Sequence, residues 1–377
     1  MPYNRSSFFI GFALSSAIWI ILGTLILHPP SLKFPPTCTD SIDGNLCASE
    51  TPPKGKTCIL ILASLRTGSS FVGELFANNR DVFYLFEPGL DLGKRLNHIR
   101  GGKQLTENVL LRMIQDLFRC DFTNLHFYLR WLSKLSENLL QGTCTITENV
   151  ARVVCQSSRY IAIKTIRIPD MSLVLPIAER NALNLRVVHL VRDPRPMIAS
   201  RFLALTHQRL SSASFANTSR ILPNRSREFL SIYCKYNWQN FEIGSRNPTL
   251  KQNYMFVRYE DAAVDPLTTV KRLYRFINKT EVPSASVLKW IELNTNCGNE
   301  KGLYSTSRNS TAVYQRWRRT LPFRLAKEIE GVGQCRDMMI RMGYFQVKDE
   351  VYLRNMSLPL IGDAAVINHP KHSWLWF

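Results

Sequence analysis

The run CILILA at residues 58–63 has no polar interruption, and the chain leaves it through a short turn, SLRTGSS, into a helix-like pattern. An apolar run that ignores the two-residue alternation of a half-exposed strand needs cover on both faces, which helices provide in parallel sheets. Similar runs stand at 160–166, 185–191 and 254–258. Helices are expected at 70–78, 173–180, 197–205, 266–277 and 323–342, the first opening on Ser and the fourth on Pro, both suited to a helix start. The expected fold is α/β, a parallel sheet flanked by helices.

With 377 residues and 45% apolar content, the chain can bury one large core, and disorder is excluded. Its 48 Lys and Arg against 29 Asp and Glu leave a net charge of +19. Such an excess attracts polyanions, whether nucleic acid, anionic membrane or acidic glycan, and says nothing of fold.

Residues 8–27, FFIGFALSSAIWIILGTLIL, carry no charge over a length that spans about 30 Å of bilayer. A cleaved signal peptide competes with a membrane anchor. The run exceeds the usual signal core, and LHPPS after it offers no small-x-small cleavage site, so an uncleaved anchor is expected. Five Asn-x-Ser/Thr sequons (Asn217, Asn224, Asn278, Asn309 and Asn355) and all nine cysteines lie beyond it, which favours a glycosylating, oxidising lumen. Cys58 reads as a buried thiol, and the other eight allow up to four bridges whose pairing the sequence does not give. No close Cys-x-x-Cys pair or Cys/His cluster suggests zinc. The expected organisation is a cytoplasmic tail at 1–7, the anchor at 8–27, a stem with six prolines at 28–56, one lumenal domain at 57–350 and a tail at 351–377.

Ligands of open parallel sheets sit at the carboxyl ends of strands, where SLRTGSS falls. Gly68 permits close approach, Ser69 and Ser70 add hydroxyls to a helix start, and Arg66 adds a planar cation, a set suited to phosphate or sulfate. A nucleoside-triphosphate kinase is the rival reading, but Ala63 and the lack of Lys after Gly68 break the GxxxxGK[ST] pattern. A second strand, turn and helix follow in LRVVHLVRDPRPMIASR at 185–201, with Arg192 at the strand end and Ser200 about two helical turns on. Both could flank one phosphate. Arg220, Arg225 and Arg227 read as a solvated face, whereas Arg192 and Arg195 at the strand end read as functional.

Together these residues resemble the Golgi carbohydrate 6-O-sulfotransferases, which use 3′-phosphoadenylyl sulfate (PAPS). RTGSSFVGELF is similar to their 5′-phosphosulfate loop and LVRDPRPMIASR to their 3′-phosphate element. DVFYLFEP, IAIKTIRIP, VRYED, STSRNSTAVYQRWR and PFRLAKEIEGVGQCRDMMIRMGY extend the likeness across most of the body in the family's order, nearest the keratan sulfate galactose and chondroitin 6-sulfotransferase branch. The resemblance implies a P-loop-like PAPS sulfotransferase fold. It also implies that Arg66, Thr67, Gly68, Ser69, Ser70, Phe71 and Val72 bind the 5′-phosphosulfate and Arg192 and Ser200 the 3′-phosphate, with Tyr259, Ser307 and Arg308 closing around the nucleotide. The implied setting is a single-pass type II protein of the Golgi membrane, with an anionic glycan acceptor and no nucleic-acid partner; a homodimer stays open. Residues 207–226 and the tail HPKHSWLWF match nothing in the pattern, which leaves the acceptor sugar open. An inactive glycan-binding protein remains a third reading.

Sulfuryl transfer needs in-line attack and stabilisation of a leaving phosphate, a task for Arg66 and the turn's N–H groups. Glu87 in FEP is the expected base for the attacking hydroxyl, with helix capping or ion pairing as its plain alternative. Lys164 or Arg167 would neutralise the sulfuryl oxygens, or pair at the core edge. His189, within an apolar strand, reads as a buried, satisfied imidazole, and His207 is a second candidate base. No metal is required if arginines supply the field. Trp290, Trp317 and Tyr314 are aromatic residues for sugar faces, or core.

Overall fold

The computed structural model describes residues 55–90, 92, 96, 100–140, 146–180, 183–206, 222–278, 282–295 and 309–362. The expected anchor, most of the stem, His207, Ser307, Arg308, Asn217, residues 363–377 and four cysteines (38, 47, 144 and 297) lie outside them. Among the described residues no helix is long and apolar enough to cross a membrane.

Five parallel strands form one sheet in the order β2-β3-β1-β4-β5. They are β1 (Thr57–Leu62), β2 (Val82–Phe86), β3 (Tyr160–Thr165), β4 (Asn184–Val191) and β5 (Tyr254–Arg258). Four were expected to within a residue or so; β2 was seen only as part of a motif. Alternation along β1 explains the missing polar pattern: Cys58, Leu60 and Leu62 join one buried cluster, Ile59 and Ile61 another. Helices α1 (Ser69–Ala77), α2 (Gly102–Phe118), α3 (His126–Leu140), α4 (Glu148–Ser157) and α5 (Leu175–Arg180) lie before β4. After it come α6 (Pro194–Thr206) and α7 (Asn224–Arg246). Beyond β5 follow α8 (Tyr259–Val264), α9 (Pro266–Asn278), α10 (Ala285–Thr295), α11 (Ser310–Val313), α12 (Trp317–Thr320), α13 (Phe323–Glu330), α14 (Cys335–Arg341) and α15 (Glu350–Arg354). One face of β1 meets α2 and α4, the other α1 and α9, while a third cluster joins α6, α7, α13 and α14 beyond β4.

The helix expected at 323–342 is two helices. Gly331 caps the first, and Gly333, at φ 52°, carries the turn into the second. Residues 351–362 of the expected tail pack onto the body. Buried Arg318 donates to the carbonyls of Leu353 (2.9 Å), Leu358 (2.9 Å), Tyr352 (3.0 Å) and Asn355 (2.6 Å), and Leu353 and Leu360 enter the core.

Where the chain enters the domain, Lys56 donates to the carbonyls of Cys155 (2.7 Å), Gln156 (2.6 Å) and Ser158 at the end of α4. A cation there also suits the negative end of the helix dipole. Cys58 is buried and free, as expected. Cys120 bridges Cys155, and Cys234 bridges Cys335 across a separation of 101 residues, tying α7 to α14. Closing so long a loop restricts the unfolded chain, so replacing Cys234 and Cys335 with Ser should lower the unfolding free energy by about 4 kcal/mol in urea denaturation.

Candidate functional site

Connections leave β1 toward β3 and β2, and leave β4 toward β5, so the strand order reverses between β1 and β4. The carboxyl ends there are where open parallel sheets hold ligands. Both sequence-derived anion elements start at these two ends.

After β1 the turn folds back on itself: Thr67 donates to the Ser64 carbonyl through its amide (3.3 Å) and hydroxyl (2.7 Å). Arg66 holds φ 69° and Gly68 φ 83°. A Cβ at Gly68 would overlap the Tyr259 ring, so glycine is required by space as well as by conformation. The first intrahelical bond of α1 runs from Val72 to the Gly68 carbonyl (3.2 Å), which turns the amides of Ser69, Ser70 and Phe71 out of the helix start. Val72 itself is fully buried, so its side chain belongs to the core.

The second element meets the first directly. Arg66 Nε donates to Ser200 Oγ (3.0 Å), and Arg192 Nη1 donates to the Arg66 carbonyl (3.0 Å). The Arg192 guanidinium lies 4.4 Å from the Tyr259 ring centroid, and Tyr259 packs edge-on to Phe71 at 6.5 Å. Arg66, Gly68, Arg192, Ser200 and Tyr259 are thus one constellation, in which the two elements read separately from the sequence touch. Arg192 Nε is buried without a partner among the described residues. An unmatched cationic donor beside outward helix amides fits a nucleotide bearing two anionic ends.

Sequence reasoning missed what holds Arg192. Tyr233 of α7 accepts from the Arg192 amide (3.0 Å) and donates to its carbonyl (2.6 Å), holding the two peptide units that flank the Arg192 Cα. Glu260 accepts from the Asp193 amide (2.9 Å) and from the Tyr344 hydroxyl (2.9 Å). Burial, then the nearby Asp193 carboxylate, pushes Glu260 up to about 7. No local pattern marks Tyr233, whose helix was not expected from the sequence.

Arg195 requires a correction. It is fully buried, bound by Asp193 through Nε (3.0 Å) and Nη2 (2.6 Å) and by Glu330 (2.9 Å), and it packs 4.9 Å from the Trp317 centroid. A guanidinium whose donors are already used by two carboxylates serves the core, not a ligand. Trp317 is buried with it, and Trp290 packs 5.7 Å from Phe71. His189 is a satisfied core imidazole, with Tyr254 at 2.8 Å and Asn237 at 2.9 Å, and burial lowers it to about 4.

Glu87 directly follows β2, at φ 40°, with its amide donating to the Lys164 carbonyl (2.9 Å). Its carboxylate is paired with Lys164 Nζ and with Arg167 Nη2 (3.4 Å). Burial lowers the Lys164 pKa against the opposing pull of Glu87. Among the described residues only Arg66, Glu87 and Cys120 have positive φ without being glycine. Two of the three are site candidates, and such backbone strain gathers at functional positions.

Residues 56–334 match the sulfotransferase domain family. Carbohydrate sulfotransferase 3 of Tetronarce californica is 31% identical over 343 residues, covering 82% of this chain and 77% of the relative. Carbohydrate sulfotransferase 1 of Danio rerio is 33% identical over 354 residues, covering 83% of each. Carbohydrate sulfotransferase 5 of Mus musculus is 29% identical, covering 80% of this chain and 84% of the relative.

Two outcomes are expected. Tyr233→Phe, which frees the Arg192 backbone amide and carbonyl, should weaken adenosine 3′,5′-bisphosphate binding about tenfold by calorimetry. Because the Glu260 carboxyl sits above its unfolded value of 4.5, its contribution to stability is complete below that pH and lost as pH rises through about 7. Glu260→Gln should flatten the fall in melting temperature between pH 5 and 8, approximately the window of that shift.

Proposed function

The chain belongs to the sulfotransferase family and is a PAPS-dependent sulfotransferase, and on that premise we propose that it sulfates the 6-hydroxyl of a galactose or N-acetylhexosamine residue. The acceptor class is a keratan- or chondroitin-type glycan, an anionic polymer that suits the net charge of +19. The setting is the Golgi lumen, with residues 8–27 as a type II anchor. The observation that carries the reading is the direct contact of the two anion elements, Arg66 on Ser200 and Arg192 on the Arg66 carbonyl. The named activities of the similar proteins support a carbohydrate acceptor.

The donor supplies an activated sulfuryl group and a phosphate leaving group. Arg66 and the outward amides of Ser69, Ser70 and Phe71 hold the 5′ end and take up charge as the leaving phosphate forms. Arg192 and Ser200 hold the 3′-phosphate; Tyr259 closes over the nucleotide together with Ser307 and Arg308. Glu87 accepts the proton of the attacking hydroxyl. Once its carboxylate is neutralised, Lys164 loses its partner and turns its charge toward the transferring oxygens.

Labelled donor supplied to the purified chain with desulfated keratan, desulfated chondroitin and terminal N-acetylglucosamine tests the reading. Transfer to none of them would sink it. Arg192→Ala should raise the donor KM by about 10- to 100-fold. Glu87→Gln should lower kcat by at least about 100-fold with bisphosphate binding kept, and unchanged turnover would remove Glu87 from the chemistry.

A further inference from the structure

We propose that Phe86 and Trp131 form the platform on which the acceptor's hexopyranose ring rests, beside Glu87; this rests on the functional reading above. Phe86 ends β2 and shares a sheet face with Lys164, its partner in the parallel register. Lys164 Nζ lies 4.2 Å from the Phe86 centroid while it pairs with Glu87. Trp131 of α3 stacks on Phe86 at 6.2 Å with 18° between planes, and Tyr128 stacks on Trp131 at 5.8 Å and 16°. Tyr128 is buried, and its hydroxyl donates to the Phe86 carbonyl (3.2 Å), so it fixes the strand end from beneath. Phe86 and Trp131 are only half-buried and reach solvent.

Sheet order gives this cluster its meaning. Arg192 follows β4, Arg66 follows β1, Lys164 closes β3 and Glu87 follows β2. Neighbouring strands are about 4.8 Å apart, so Glu87 stands roughly 10 Å from the β1 end and 14 Å from the β4 end. Nucleotide contacts fill the β4 and β1 ends, which leaves the β3 and β2 ends for the attacking hydroxyl on the opposite side of the transferring group. A pyranose has an apolar C–H face and a hydroxyl rim, and it suits aromatic rings next to a carboxylate and an ammonium. Glu87 cannot swing out to meet a sugar, because its backbone and both carboxylate oxygens are committed. The sugar must be brought to it. Of the aromatic residues singled out from sequence, Trp317 is buried under Arg195 and Trp290 packs on Phe71 of α1.

Steady-state kinetics of the full chain, varying donor and acceptor separately, test the platform. Trp131→Ala should raise the acceptor KM about tenfold and leave the donor KM within about twofold, while Trp131→Phe should recover most of the loss. Should the alanine variant fail to fold, Trp131→Leu keeps apolar volume against Phe86 and Tyr128 without a ring and carries the same expectation. Bisphosphate affinity equal to that of the unaltered chain certifies the fold. An unchanged acceptor KM in a folded variant, or an equal rise in both KM values, overturns the platform alone. Absence of transfer by the unaltered chain overturns the functional reading and the platform with it.

Discussion

The contact on which the site depends is a crosslink between two neighbouring strand ends. Arg66 reaches from the β1 turn to Ser200 on α6, and Arg192 reaches back from β4 to the Arg66 carbonyl. Two guanidinium groups placed this close repel one another. Arg192 donates to the neutral Arg66 carbonyl, and its buried Nε has no partner among the described residues, so its charge remains available to an anion. That separates it from Arg195, whose charge Asp193 and Glu330 consume.

Around this crosslink the buried polar groups form a frame that runs from the site to the end of the described chain. Glu260 joins the Asp193 amide to Tyr344, and Arg258 binds Asp261 (2.8 Å), the Met342 carbonyl (3.2 Å) and the Gly362 carbonyl (3.0 Å). Arg318 gathers the carbonyls of the following segment. Removing one member of such a frame strands the others in low dielectric, so it specifies one arrangement more than it adds stability. The geometry around Arg192 is thereby set by residues far along the sequence.

Much of the fold was legible because the apolar runs at 58–63, 160–166, 185–191 and 254–258 have no other way to be covered. Strand β2 escaped because VFYLF is short and ends in a motif read for its chemistry. The break at Gly331 escaped because apolar periodicity carries across it. At the site, Arg66, Gly68, Arg192 and Ser200 were legible as residue types suited to anions and Tyr259 only through the family resemblance, and the structure brings them together. Arg195 misled because a sequence shows a cation but not the carboxylate that claims it, and Glu330 is 135 positions away. Tyr233 carries no local signature; its hold on Arg192 arises from tertiary neighbours.

Lys56 closes the picture at the other pole of the molecule. By gripping the last carbonyls of α4 it fixes the chain's entry at the amino end of the central strand, a strand's length below the crevice. The chain thus enters the body at the end of the sheet opposite the anion elements, and the groups that anchor that entry are separate from those that line the crevice.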